Sequence, residues 1–323
     1  MKRIFFIFVL LAAASFWGCK KNEVIQPLTK TQKAVFNYLP EESQFVIFIN
    51  LSELRKTDFW DNYFKPALFN NYPYNKWFNE FEKKTGVGLN NGISQVFISS
   101  GGNFNNVAVV IFDKNLKHIK NYFNKSDSFS KVSINKNIVY TLKEKSPLQL
   151  YFINDTTILA ATKSGYIKSI ITANDNPLIN NKLLIGIIKN IKNKKQYWMA
   201  TDRGTYAVNY MKKIIGVDEN TPVNNILKSV KSVTLAVQFD KGIDIESNWN
   251  CKDSKNAYLL STAIKGALAM DLLSGSDLLL GKILQKTDIE RSNAQINFQL
   301  ELKGDDIIKL KDFAKQRDLV RKL

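Results

Sequence analysis

"QVFISSGGNFNNVAVVIFD", residues 95–113, is the stretch that decides the fold. Two apolar runs flank a turn at Gly101-Gly102-Asn103, and these residue types tolerate the positive φ angles that tight hairpin turns require. Two strands joined by so short a connection run antiparallel, because a parallel pair needs a long crossover. The stretch therefore predicts a β-hairpin.

The same pattern predicts three more hairpins along the chain. Their turns lie at Asn135-Lys136-Asn137, Asn154-Asp155 and Asp240-Lys241-Gly242. Short apolar runs predict further strands at Phe45–Ile49 and near Tyr197–Ala200, and residues 294–302 alternate apolar and polar side chains. The strand pattern thus predicts antiparallel sheets built from hairpins.

Helical periodicity occurs between these hairpins, in residues 74–84, 115–123 and 254–274, and again from Asp305. Asp253 or Ser254 is expected to cap the longest of these helices. Its apolar run is interrupted by charged residues, which favours a buried helix over a membrane span. We therefore expect an α+β fold with helices packed against antiparallel sheets.

The order of elements suggests two similar repeats. Each half contains a strand, one or more helices, a Gly-Val pair, a hairpin and a further helix; the pairs are Gly86-Val87 and Gly216-Val217. Many α+β chains share such an order, so duplication stays a hypothesis here. It divides the chain into a first repeat at 34–192 and a second at 193–323.

The N-terminus has the pattern of a secretory signal peptide. Met1-Lys2-Arg3 is basic, and an apolar run follows from Ile4 to Gly18. This run is shorter than the roughly 20 apolar residues that a membrane-spanning helix needs. The pattern predicts a cleaved signal peptide at residues 1–18.

"SFWGCKKNE", residues 15–23, resembles the lipobox of bacterial lipoproteins, although Phe16 stands where that family prefers Leu. In that family the cysteine thiol is diacylglycerated, the peptidase cuts before the cysteine, and the new amino group is acylated. The resemblance implies lipid attachment at Cys19, followed by a flexible tether at residues 19–33. By the family's sorting rules, Lys20 in place of an inner-membrane Asp implies the outer membrane. Surface-export tags in some groups resemble a lysine followed by acidic residues, and "CKKNE" offers only Glu23, so the periplasmic face is expected, with the cell surface as the alternative.

The mature part resembles a group of uncharacterised exported bacterial proteins built on α+β repeats. Three segments carry this resemblance: "YLPEESQFVIFINLSEL", "KKTGVGL" and "NWNCKDSKNA". They contain no catalytic signature. The resemblance implies the fold and nothing about activity.

The chain is strongly basic, with 46 Lys plus Arg against 29 Asp plus Glu and a formal net charge of +17. Such a surplus attracts polyanions. In an exported protein these are lipid headgroups, lipopolysaccharide and cell-wall polymers, so we expect no nucleic-acid partner. The expected partners are the membrane, through the N-terminal lipid, and an envelope protein or anionic envelope polymer. Codon bias on a solvated surface is the alternative cause of the lysine surplus.

The scarcity of cysteine and histidine restricts the chemistry. A lipid-bearing Cys19 leaves Cys251 without a disulfide partner, and a buried thiol is the expected state of Cys251. His118 is the single histidine, which excludes sites built on two imidazoles, and it lies on the polar side of a predicted helix. We therefore predict no metal and no cofactor.

No sequence feature identifies a catalytic residue. "TGVGLNNG", residues 85–92, follows a predicted helix, so its glycines indicate a helix C-cap and turn rather than a phosphate loop. Paired carboxylates can hydrolyse glycosidic bonds across a cleft. The candidates for such a pair are Asp202, Asp218, Glu219, Asp244 and Glu246.

Aromatic residues are concentrated between positions 59 and 81. Their helical spacing is typical of a core, but ten rings in so short a stretch exceed a single buried stripe. Rings beside lysines can also bind sugars, lipids or single-stranded nucleic acid. The predicted binding surface consists of Trp60, Tyr63, Phe64, Tyr72, Tyr74 and Trp77.

These observations predict a lipid-anchored envelope protein that acts by binding, as a scaffold or otherwise, without a catalytic site. The first alternative is an envelope hydrolase that uses two of the carboxylates. The second is a carrier of a lipid or another apolar ligand, which requires an apolar cavity between sheet and helices.

Overall fold

The computed structural model describes residues 27–65, 81–88, 90–100, 106–143, 148–173, 176–192, 194, 196–204, 226–274 and 285–309. Within these residues the fold is mixed α and β, and its strands form one antiparallel sheet of twelve strands. The predicted signal peptide and Cys19 lie outside the described residues.

The strands are β1 Phe45–Asn50, β2 Ile93–Ser100, β3 Asn106–Phe112, β4 Phe129–Ile134, β5 Asn137–Leu142, β6 Gln149–Asn154, β7 Thr157–Ala161, β8 Tyr197–Thr201, β9 Val230–Phe239, β10 Gly242–Cys251, β11 Asp288–Ser292 and β12 Gln295–Lys303. Their order across the sheet is β11-β12-β10-β9-β8-β1-β2-β3-β7-β6-β5-β4. Strands β1 and β8 therefore lie next to each other in the middle.

The α-helices with full bounds are α1 Lys30–Phe36, α2 Leu51–Leu54, α3 Lys117–Lys125, α4 Tyr166–Ile171, α5 Lys182–Lys189 and α6 Ser254–Ser274. A π-helix spans Trp60–Phe64 and a 3-10 helix spans Leu178–Asn180. Residues 81–85 and 304–309 are also helical. No described helix is both long enough and apolar enough to span a membrane.

All four predicted hairpins form, as β2–β3, β4–β5, β6–β7 and β9–β10. In the β4–β5 turn, Asn135 and Lys136 adopt φ angles of 49° and 65°, as the turn chemistry predicts. The Gly101-Gly102-Asn103 turn lies outside the described residues. The predicted helices at 115–123 and 254–274 correspond to α3 and α6.

The sheet is much larger than hairpins with packed helices imply. Strand β1 pairs with β8, β3 with β7, and β10 with β12. Together with the pairings β1–β2, β5–β6 and β8–β9, they join the hairpins into one layer. The pairings β1–β8, β3–β7 and β10–β12 join strands that are distant in the sequence, so no local turn pattern predicts them. The prediction of separate sheets is corrected to a single sheet.

One face of the sheet holds the main core. A cross-strand row of buried side chains runs through five adjacent strands, from Trp198 through Phe48, Phe97 and Val109 to Leu159. Side chains from α1, α4 and α5 pack against this row. On the opposite face of the sheet, α3 packs against the strands of the first half and α6 against the strands of the second half.

Helix α1 overlaps the end of the predicted tether, residues 19–33. Helix α1 starts within the stretch 19–33, and Leu28 before it is only 6% exposed. A capping box starts the helix: Gln32 N donates to Thr29 Oγ1 at 3.1 Å, and Thr29 N donates to Gln32 Oε1 at 2.9 Å. The T-x-x-Q spacing that produces this cap is visible in the sequence.

Replacement of Phe48 tests the importance of the β1–β8 junction. We expect Phe48→Ala to lower the free energy of unfolding by about 3–5 kcal/mol, because a large ring is removed from a packed core. Chemical denaturation followed by tryptophan fluorescence measures the change. The control is Leu183→Ala on α5, whose side chain is 65% exposed and whose loss should change stability by less than about 0.5 kcal/mol. Equal effects of the two substitutions would contradict the central role of β1.

Candidate functional site

The aromatic segment begins at a π-helix, a wide helical turn that often accompanies functional sites. Trp60 stacks on Phe64, with ring centroids 6.0 Å apart and planes 9° from parallel. Phe59 stacks on Phe239 at the end of β9, with centroids 4.7 Å apart. These four rings form one aromatic cluster against the sheet.

The cluster is partly core. Trp60 is 3% exposed and packs with Leu51 and Leu54 of α2, so its ring is not available to a ligand. This corrects its assignment to the predicted binding surface. Phe64 is half-buried and remains at the border of the cluster. The Tyr63 side chain lies outside the described residues, and so do Tyr72, Tyr74 and Trp77.

Of the candidate carboxylates, Glu246 is held in an ion pair. It lies on β10 in the cross-strand row that contains Ala236 and Trp198. Lys192 Nζ lies 3.5 Å from Glu246 Oε1, and Asn248 Nδ2 donates to the same oxygen at 3.2 Å. Asp244 lies two residues away on the same face and is exposed.

Asp202, directly after β8, is a poorly solvated carboxylate. Its side chain is 14% exposed, and no described residue donates a hydrogen bond to its buried Oδ1. Burial raises the pKa of the Asp202 carboxyl, and the Arg203 guanidinium, 4.0 Å from Oδ1, opposes that rise only in part. The ionised form is therefore destabilised by its surroundings.

Asp202 and Glu246 are too far apart to form a hydrolase pair. Trp198 on β8 lies in the same cross-strand row as Glu246 on β10, two strands away. Asp202 follows Trp198 by four residues, just after the end of β8. Strand rise and spacing place the two positions about 16 Å apart, beyond the roughly 5–9.5 Å of glycosidase carboxylates. Asp218 and Glu219 lie outside the described residues.

Other reactive side chains are not assembled into a centre. His118 is exposed on α3, as predicted. Cys251 is 4% exposed, in agreement with the predicted buried thiol, and burial raises the pKa of that thiol. Among the described residues, no group of three or more His, Cys, Asp or Glu side chains could hold a metal ion.

A buried lysine, missed by the sequence analysis, lies before β8. Lys194 is 5% exposed, and its ammonium donates to the backbone carbonyls of Lys189 and Ile191 at the end of α5. Burial lowers the pKa of Lys194 to about 8. In the sequence, Lys194 is one of several adjacent lysines, and nothing distinguishes it from a solvated one.

A cavity of about 500 Å³ lies beside α3 and the β6–β7 turn. Polar side chains form most of its lining, which includes Lys117, Lys120 and Asn154. Lys120 Nζ lies 5.9 Å from the centre of the Phe152 ring, which also lines the cavity. Asp155 also lines the cavity, so the lining carries charges of both signs and does not suit an acyl chain.

A second cavity, of about 340 Å³, lies between α6 and β11. Leu268 and Ile289 line it together with Lys265 and Asp288. Its volume is at the lower end of small-molecule pockets. The carboxylates considered above line neither cavity.

Comparison with known proteins identifies a similar fold. Crystal forms III and I of TP0453 superpose with TM-scores of 0.52 and 0.51, at 8% and 7% sequence identity. The alignments cover 82% and 84% of this chain and 92% and 94% of the TP0453 chain. At such low identity the likeness shows the fold alone.

No family model matches the chain, and no curated protein matches it.

Replacement of Asp202 tests whether its carboxyl is destabilised by burial. A raised pKa means that the folded protein keeps the Asp202 proton at pH values where the unfolded chain has lost it. The contribution of Asp202 to stability therefore falls as the pH rises above the ordinary pKa of an aspartate carboxyl, about 3.9. We expect Asp202→Asn to raise the free energy of unfolding by roughly 1–2 kcal/mol at pH 7, with a smaller gain at pH 4.

The measurement is urea denaturation at both pH values. Asp155→Asn is the matched control, because Asp155 is exposed in the β6–β7 turn. A pH-independent difference between Asp202→Asn and the wild type would contradict the burial argument.

Proposed function

We propose that the chain is a lipid-anchored protein of the cell envelope that acts by binding, as a scaffold or as a docking module. The observation that carries this proposal is Cys19, placed directly after an apolar run and before Lys20-Lys21. By its resemblance to the lipobox, this arrangement supports cleavage after Gly18 and acylation of Cys19. The outer membrane, at its periplasmic face, is the proposed location.

The start of the folded part supports a position close to the membrane. Eight residues, 20–27, lie between Cys19 and Leu28, the first buried side chain of the described fold. Even fully extended, such a connection reaches only about 30 Å. The N-terminal end of the described fold would therefore lie within about 30 Å of the lipid surface.

The finer organisation that we propose is two similar repeats, at 34–192 and 193–323. On each side of the β1–β8 junction the central strand is followed by a hairpin, a helix and further strands. In each half the last strand returns beside the second strand of the first hairpin: β7 beside β3, and β12 beside β10. The β4–β5 hairpin is the additional element of the first half.

Electrostatics supports an anionic partner. Exposed lysines are concentrated on α3 and the adjoining β4–β5 hairpin: Lys117, Lys120, Lys125, Lys131 and Lys136. The polar cavity beside α3 lies among them. A positive surface of this kind concentrates anionic groups near it, with a strength that falls as salt rises. An anionic envelope polymer or the acidic surface of an envelope protein fits this chemistry.

The separation of Asp202 and Glu246 supports binding rather than hydrolysis by this pair of carboxylates. Glu246 is neutralised by Lys192, and Asp202 lies about 16 Å away from Glu246 by strand spacing. A hydrolase of the paired-carboxylate class needs two such groups across a cleft. The described geometry provides a positive surface instead.

Replacement of Cys19 tests the anchor. Cys19→Ala should abolish labelling by a radioactive or clickable fatty acid and should leave the precursor at its uncleaved mass, since the acylated sulfur is the substrate of the lipoprotein peptidase. The control is Cys251→Ala, which removes a buried thiol and should leave labelling and cleavage unchanged. Acylation of the Cys19→Ala chain, or its normal cleavage, would overturn the anchor.

Crosslinking in intact cells tests the binding role separately. Capture of the wild-type chain should bring down the same envelope component in repeated experiments, and the yield should fall when the α3 lysines Lys117 and Lys120 are replaced by Gln. A chain that is acylated but captures nothing would retain the anchor and contradict the scaffold proposal.

A further inference from the structure

The twelve-stranded sheet has two edge strands of different character, β11 and β4. The β11 sequence, "DIERS", carries three charged side chains in five residues. The β4 sequence, "FSKVSI", carries one. Charged side chains are a usual protection of sheet edges, because an open edge is a template for another strand. Strand β4 is the less protected edge.

The backbone of β4 has groups available for a further strand. A two-residue turn makes Ile134 and Asn137 a hydrogen-bonded pair, and the pairs then alternate along the β4–β5 ladder. Lys131 and Ser133 fall at the positions that do not bond to β5. Their N–H and C=O groups therefore point away from the sheet, and no described residue bonds to them.

The side chains of β4 do not block this edge. Lys131, its single charged residue, bends back so that Nζ donates to the Asn124 carbonyl at 2.8 Å. Val132 is 49% exposed, although the cross-strand neighbour Val139 in the same row is 1% exposed. The apolar row of the main core thus reaches the edge and ends there uncovered.

We propose that two copies of this chain associate through β4, antiparallel and related by a twofold axis at Val132. Lys131 of each copy then exchanges two backbone hydrogen bonds with Ser133 of the other copy, four in all. The two Val132 side chains face each other as a non-hydrogen-bonded pair, with Cα atoms about 4.5 Å apart. The pairing extends the apolar row from one copy into the next.

The register follows from charge and backbone geometry. A twofold axis at Lys131 would place two ammonium-bearing residues directly opposite each other, which destabilises a strand pair. An axis at Ser133 would bring Lys131 opposite Asn135, whose φ of 49° belongs to the turn and not to a strand. With the axis at Val132, Lys131 of one copy lies opposite the neutral Ser133 of the other. The outward N–H and C=O groups of both residues are then hydrogen-bonded.

The basic surface determines how salt acts on this association. Each copy brings exposed lysines on α3 and on the β4–β5 turn close to those of the other copy. Their repulsion weakens as ionic strength rises, because the Debye length shortens. The association is therefore expected to strengthen with salt, opposite to the binding of a polyanion. The inference goes beyond the proposed function and is independent of the anchor, since it uses residues 124–142 only.

A cysteine scan in intact cells tests the pairing. In Val132→Cys the two thiols lie at a spacing that suits a disulfide, so mild oxidation should convert most of the chain to a species of twice its mass on a non-reducing gel. The matched control is Ile138→Cys, because Ile138 is similarly exposed, at 41%, but lies on β5. In the proposed pair the two copies of residue 138 are about 14 Å apart, three strand spacings, and should not crosslink.

Sedimentation of the purified full chain provides the second measurement. Val132→Lys places two like charges on the axis and should raise the dimer dissociation constant at least about tenfold. A monomeric wild type, a Val132→Cys chain that crosslinks to a different protein, or equal crosslinking of both cysteine variants would overturn the proposal.

Discussion

The pairing of β1 with β8 is the interaction on which the rest of the structure depends. β1 is bonded to β2 on one side and to β8 on the other, so it joins the strands of the two halves into one sheet. On the core face, Phe48 of β1 stacks on Trp198 of β8 with centroids 5.5 Å apart. Phe97 of β2 lies 4.7 Å from Phe48 on the other side. Three adjacent strands thus contribute three touching rings to one row.

This junction also carries a cost. Trp198 is fully buried, and no described residue accepts a hydrogen bond from its Nε1. An unsatisfied buried donor costs about 1–3 kcal/mol. Burial of an indole ring contributes a larger favourable term, and stacking with Phe48 adds to it. The junction is therefore stabilised by ring packing rather than by side-chain hydrogen bonds.

The sequence predicts the local structure well and the assembly poorly, and the reason is physical. Turn residues such as Asn135 determine a hairpin within about a dozen residues, and Asp253 caps α6 as expected, with Asn256 N donating to Asp253 Oδ1. The pairings of β1 with β8 and β3 with β7 depend on side chains far apart in the chain, which no local periodicity encodes. The same limit applies to single residues: composition cannot separate a ring that binds from one that packs, and Trp60 packs.

The sheet has two edge strands, β11 and β4, and their side chains differ chemically. At β11, Arg291 lies over the Tyr258 ring of α6, and Asp288 and Glu290 add charge to the edge. At β4 the lysine bends inward and a valine remains exposed. An interface that uses the same strand from both copies closes on itself, whereas joining β4 to β11 would propagate without end. Self-pairing at β4 uses the less protected edge of both copies, leaves the charged β11 edges outside the pair and limits assembly to two copies.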